Sequence, residues 1–269
     1  MLAHKSRLGG SRFLGAGMSA RNLFGMISNV SRIMRELEDA GIRIEIGDDF
    51  SEYRLLRNSQ TGRGGLYPMF DVSCSYVDSS NAFWICGFND QDELIHTQAI
   101  RLLDLSNTTL EQHMNVHRHK YITPDTTPDP DLTFYSRPQA LKTITGQVAY
   151  HGDFWLRAHG LGGPRSQGLT PLLSRTIFEL ALRAWSPDYV FALVPKQLAA
   201  KGAHLRYGYI HCEPGVWHGP DNQITDEDWL IWMSTRDITN FLDAEPQSLQ
   251  RQQQVATISS TLKAIDTKG

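Results

Sequence analysis

Apolar residues recur along the chain with two periods, and the switches between them outline its elements. Between residues 20 and 40, Leu23, Met26, Ile27, Val30, Ile33, Met34 and Leu37 fall on one stripe at helical spacing. Ser19 is placed to cap that helix and Gly41 to end it. Ile42 to Ile46 then alternates as a short strand, residues 48–57 suit a short helix, and 58–66 form a polar, glycine-rich loop. Three β runs follow at 69–77, 82–88 and 94–104, separated by turn-like stretches at 78–81 and 89–92. They predict an antiparallel meander.

A helix is expected at 108–120. Pro124, Pro128, Pro130 and Pro138 then mark 121–138 as a loop, and strand character returns at 144–158. Gly160, Gly162, Gly163 and Pro164 punctuate a second loop. From Pro171, the residues Leu172, Leu173, Thr176, Ile177, Leu180 and Leu182 recur at helical spacing up to Trp185. Tyr189 to Val194 is continuously apolar, as in a buried central strand. A helix at 196–205, strands at 207–213 and 229–233, and a helical stretch from 235 complete the pattern. The order predicts an α+β or mixed α/β protein, its sheet antiparallel early and parallel around the second glycine loop. No internal repeat is evident. The expected division is a flexible leader at 1–18, one domain at 19–245 and a polar tail at 246–269.

Composition narrows the function classes. Of 269 residues, 41% are hydrophobic and 20% charged, which suits a folded soluble domain. A net charge of −3 argues against a general nucleic-acid binder, and no apolar run approaches the length of a membrane span. Cys74, Cys86 and Cys212 are odd in number and widely spaced, giving neither a disulfide framework nor a metal motif, so a reducing, cytoplasmic setting is expected. Residues 1–35 carry six Lys or Arg and no acid, as some targeting sequences do, but Gly9, Gly10, Gly15 and Gly17 suit a leader better than an amphipathic helix.

The stretch from Arg165 to Thr170 carries the most specific chemistry. It lies between an extended run and a helix, so backbone N–H groups and a helix N-terminus converge there, as at a phosphate site. Neither the P-loop pattern nor a complete dinucleotide fingerprint is present.

Arg165-x-x-Gly168-x-Thr170, between a strand and a helix, resembles the acyl-CoA pyrophosphate loop of the GNAT-type N-acyltransferase superfamily. That family has glycine or alanine where Thr170 stands. Gly208-Tyr209 resembles the Gly-Phe pair that often closes a later helix-to-strand turn in the family, and the 69–104 meander is similar to the family's second to fourth strands. The resemblance covers about residues 20–235 in element order and 154–209 in motif detail. It implies a central mixed sheet with a splayed parallel pair, flanked by helices. It also implies transfer of an acyl group from acyl-CoA, or an acyl carrier protein, to a small-molecule or peptide amine. Arg165, Ser166, Gln167, Gly168, Leu169 and Thr170 would hold the donor. A branch resembling autoinducer synthases or N-acyl amino acid synthases would take a long acyl chain from a carrier protein, docked on Arg157, Arg165, Arg175, Lys196 and Lys201. A non-catalytic binding module of the same fold, and a homodimeric assembly, are also compatible with the resemblance. No metal is implied.

Acyl transfer needs a base for the amine, an oxyanion donor where the parallel strands splay, and help for the leaving thiolate. His151, Asp153, His159, His211 and Glu213 are the candidate bases, each with a structural alternative. The family's frequent tyrosine acid, four residues before the Gly-Phe pair, corresponds here to His204, with Tyr207 nearby. His113 and His117 stand at i,i+4, a spacing that binds zinc, but a polar helix face explains them better. Trp84, Phe88, Trp155, Trp217, Trp229 and Trp232 suit either an acyl pocket or the core.

Overall fold

A computed structural model describes residues 20–60, 62–122, 129–157 and 168–244. The first half contains α1 (Ala20–Asp39), β1 (Arg43–Gly47), α2 (Phe50–Asn58), β2 (Ala82–Phe88), β3 (Leu94–Leu105), α3 (Leu110–Val116), β4 (Phe134–Ser136) and β5 (Gly146–Leu156). The second half contains α4 (Thr170–Trp185), β6 (Tyr189–Pro195), α5 (Lys196–Ala199), α6 (Ala203–Arg206), β7 (His211–Glu213), β8 (Val216–His218), β9 (Ile224–Asp226), β10 (Asp228–Ser234) and α7 (Thr235–Asp243).

Seven strands form the central sheet in the order β1-β2-β3-β5-β6-β10-β7. Every pairing is antiparallel except β5 with β6. This is the mixed, helix-flanked arrangement that the resemblance implies. One apolar layer packs α2, α3 and the 66–77 segment on one face around Phe70, Tyr150 and Phe191. On the other face, α4, α6 and α7 cover Val190, Ile231 and Met233.

Local chemistry explains the element ends. Gly41, at φ +73°, closes α1: its N–H bonds Glu38 O and the next N–H, of Ile42, bonds Leu37 O, both at 2.8 Å. Ile33 and Leu37 carry the buried part of the α1 stripe, whereas Ile27 is exposed. Asp49 caps α2 through the N–H groups of Ser51 and Glu52.

The sheet departs from the sequence pattern in four places. Residues 69–77 are turns, not a strand. The Arg101 guanidinium takes the carbonyl oxygens of Met69 and Tyr76, each at 2.8 Å, and Ser75 Oγ takes that of Pro68, so these acceptors do not form a ladder. The helix expected at 196–205 breaks at Gly202, φ +73°, into α5 and α6. The strand expected at 207–213 shrinks to β7 after Gly208, φ +87°. The 121–138 loop contributes β4, which joins β8 and β9 in a separate three-stranded sheet. Three-residue strands are too short to show a period.

Candidate active site

The parallel pair is short. β5 and β6 meet only at Val148–Tyr189, Ala149–Val190 and Tyr150–Phe191. Beyond these, β5 continues along β3 and β6 along β10, and the strands part. A β-bulge explains the divergence. The β3–β5 register shifts between Thr97 and Ala99, and Asp153 stands at the bulge with φ +50°. Aspartate tolerates that left-handed region better than most residues. The extra residue kinks β5 and turns Asp153 towards α2, on the same face as Tyr150.

Asp153 is held firmly there. Its carboxylate accepts the Tyr53 hydroxyl at 2.6 Å, Arg57 Nε at 2.8 and 2.9 Å, and Arg63 Nη2 at 2.8 Å. Arg63 also donates to Thr97 Oγ1 at 2.9 Å and lies over the Trp155 ring at 4.9 Å.

A cavity of about 300 Å³ fills the split and opens both faces of the sheet to one space. On the α4 face it meets His151, Phe154, Val194, Leu198 and Tyr207; on the opposite face, Arg63, Tyr67, Tyr121, Tyr150, Trp155 and Asp228. His151 is buried, with Nδ1 3.1 Å from the Tyr209 hydroxyl and Nε2 3.2 Å from Gln98 Oε1. Burial lowers its pKa to about 3, so it is neutral at pH 7. Tyr207 lies against Phe154, ring centres 4.6 Å apart. Asp228, at the start of β10, is buried, and Trp217 Nε1 donates to its Oδ2 at 3.0 Å. Burial foremost, then the charge of Asp226, raises its pKa to about 6.

The first turn of α4 lies beside the far end of β5: Leu156, Leu169, Leu172 and Leu173 share one buried cluster. Gly168 adopts φ +73° before that turn, and among the described residues no side chain caps the helix. Helix N–H groups without a side-chain cap favour an anion. Leu169 is buried and Thr170 half-buried; Arg165, Ser166 and Gln167 lie outside the described residues, as does His159.

Of the four residues expected to be catalytic, Asp153 and Tyr207 line the cavity, whereas His204 and Glu213 are not among its lining residues. His204 is half-buried on α6, its Nδ1 without a partner among the described residues. The Glu213 carboxylate accepts the backbone N–H groups of Gln139 and Ala140. His211 stacks on Trp232 and lies 3.3 Å from Asp237. Among the six aromatics considered for a pocket, Trp155 lines the cavity, while Trp84, Phe88 and Trp217 are buried in the core. The His113 and His117 rings lie 4.6 Å apart, and no group of three or more candidate metal ligands exists among the described residues.

Asp228 escaped the sequence reading. It follows Asp226 and Glu227 and resembles a turn residue. One signal was available: alternation places Asp228 on the same side of its strand as the buried Leu230.

No family model and no curated protein matches the sequence. Solved structures with a similar course include an aminoglycoside acetyltransferase in complex with coenzyme A and kanamycin, at 12% identity, covering 74% of this chain and 98% of that one, with a TM-score of 0.39. A spermidine N-acetyltransferase mutant from Vibrio cholerae matches at 8% identity, covering 74% and 97%, with a TM-score of 0.39. An N-acyl amino acid synthase from uncultured soil microbes matches at 12% identity, covering 80% and 94%, with a TM-score of 0.35. Identities this low name no substrate for this chain.

Proposed function

We propose that this chain is a GNAT-like N-acyltransferase that moves an acyl group from acyl-CoA to an amine. The observation that carries the reading is the split between β5 and β6, with a cavity inside it and, at its far end, a helix N-terminus that no side chain caps among the described residues. A thioester laid in the split meets backbone edges that no strand occupies, which suits binding of an extended chain and of a developing oxyanion. The donor pyrophosphate lies at the first turn of α4, with Arg165, Ser166, Gln167, Gly168, Leu169 and Thr170 as its loop. Tyr207, on the wall of the split, is placed to protonate the leaving thiolate; His204, outside that wall, is placed less well. Asp153 shapes the split. Its two oxygens are already taken by two guanidinium groups and a hydroxyl, so its assignment moves from base to positioning residue.

Two observations favour a coenzyme A thioester with a short acyl group over a long chain on a carrier protein. A cavity of about 300 Å³ is at the small end for ligand sites. The basic patch considered for a carrier protein is largely spent: Arg175 is buried against Phe241, Arg157 pairs with Glu93, and Lys196 pairs with Glu227.

The test is calorimetric titration with acetyl-, medium- and long-chain acyl-CoA, followed by mass spectrometry of an amine library incubated with protein and donor. The expected result is binding of a short acyl-CoA and at least one acylated amine. Binding without product indicates a non-catalytic module, and no binding ends the reading. Arg165→Ala is expected to weaken donor binding by about 1.5–3 kcal/mol, the loss of a charged hydrogen bond; unchanged affinity removes Arg165 from the donor site.

A further inference from the structure

Two polar groups on the cavity face opposite α4 lack, among the described residues, the partners their burial calls for. The Tyr121 hydroxyl has no hydrogen-bond partner among the described residues. Asp228 has one donor, Trp217 Nε1, and no cation within ion-pair distance among the described residues. Tyr150 lines the same cavity, its ring 5.4 Å from that of Tyr121. An unpaired buried carboxylate is costly to keep, and such costs concentrate where a ligand completes the site.

The groups around Asp228 do not neutralise it. Asp226 from β9 is a like charge. Tyr135 from β4 donates to the Asp228 backbone oxygen at 2.7 Å, not to its carboxylate. Tyr150 from β5 and Trp217 from β8 carry no charge at neutral pH. Pro195 faces it across the ladder on β6, and the next residue, Lys196, pairs with Glu227 at 2.7 Å. The other buried carboxylate of the cavity, Asp153, is saturated by Arg57, Arg63 and Tyr53. One acid of the cavity is thus fixed and one is open, a division that separates a positioning role from a proton-transfer role.

We propose that Asp228 is the proton acceptor of the reaction, receiving a primary ammonium group on the Tyr121–Tyr150 face of the cavity. This assignment rests on the acyltransferase reading. Of the three protons on the bound ammonium, Asp228 takes one and frees the nitrogen lone pair. The nitrogen attacks the thioester carbonyl, the C–N bond forms and the C–S bond breaks. The second proton leaves nitrogen for solvent, and solvent returns one to Tyr207 to replace the proton that Tyr207 delivers to the thiolate. The third stays on the amide, and Asp228 returns its own to solvent. The acceptor class is therefore a primary amine that is cationic in solution. The aromatic rings beside Asp228 suit such a cation.

The test combines a direct titration with kinetics. In protein carrying ¹³C-labelled aspartate, one side-chain carboxyl is expected to titrate near pH 6, apart from Asp71, Asp78, Asp104 and Asp237, which lie below the usual range. This needs neither a variant nor turnover, and an aspartate set that titrates wholly near or below pH 4 overturns the inference. With acetyl-CoA and the library amine that the wild type acylates fastest, kcat/KM is expected to rise with pH through a limb near 6. Asp228→Asn is expected to remove that limb and lower kcat about 10²–10³-fold at unchanged donor affinity. Asp228→Glu, which keeps the charge, retains the limb at a reduced rate. Wild-type turnover and an intact limb in Asp228→Asn overturn the role of Asp228 and leave the acyltransferase reading standing. A wild type that acylates no amine overturns both.

Discussion

Arg57 and Asp153 meet across 96 residues of chain, with Arg57 Nε within 2.9 Å of both carboxylate oxygens. The contact ties α2 to the bulge of β5, and Arg63 adds the following loop to the same anchor. Both sides of the pair are almost fully buried, with 5% and 2% of their side chains exposed. The bulge and its anchor together hold β5 away from β6, so the architecture of the cavity depends on one ionic cluster.

Asp153→Asn tests that dependence. Asparagine tolerates a positive φ as aspartate does, so the substitution removes charge without adding backbone strain. It leaves two buried guanidinium groups without a counter-charge. The expected loss is about 3–5 kcal/mol, measured by urea unfolding, with weaker acyl-CoA binding in the fraction that folds. A loss below about 1 kcal/mol would show that the cluster does not hold the bulge.

Stability is expected to fall as pH drops through the weakly acidic range. His96 and His151 are each lowered from 6.5 to about 3 by burial, and His113 to about 4. In the unfolded chain all three take up protons below about 6.5, whereas the folded protein keeps them neutral to much lower pH. Each therefore contributes stability that is full above 6.5 and is lost as pH falls, at about 1.4 kcal/mol per pH unit. Asp228 works in the opposite sense. Raised from 3.8 to about 6, it contributes stability that is full below 3.8 and is lost as pH rises through 6. Urea midpoints measured between pH 4 and 8 should show the fall. His151→Gln should make it shallower and Asp228→Asn steeper; a fall that neither substitution changes contradicts both assignments.

Gly208→Ala probes the turn behind Tyr207. Gly208 has φ +87°, and a Cβ there would lie 2.4 Å from the Phe241 ring. The left-handed backbone alone costs an alanine about 1–2 kcal/mol. Displacing Phe241 also disturbs its contacts with Phe178 and Arg175. A fall in melting temperature of at least about 3 °C is expected from the backbone term, together with reduced turnover, because Tyr207 immediately precedes the turn.

Much of the scaffold was legible in the sequence because it rests on short-range patterns. The apolar spacing of 171–185 and the unbroken apolar run at 189–194 match α4 and β6 closely. Gly41 ends α1 as its position implied, since a left-handed residue closing a helix is a local requirement. The 69–77 run misled because Arg101, some 25 to 32 residues further on, takes the backbone acceptors that a strand would have used.

The sequence by itself determined the order of most central elements, the mixed sheet and the helix that opens behind Gly168. Periodicity and turn chemistry act over a few residues, and the chain carries them openly. Only the tertiary structure decided the surroundings of the acids. Asp153 is saturated by partners 90 to 100 residues away, and Asp228 is left with a single donor among the described residues, beside a cavity lined by β5, β6 and β10. The charge environment of a side chain is the sum of contacts distant along the chain. Two aspartates that look alike in sequence therefore become an anchor and an open carboxylate only once the sheet has formed.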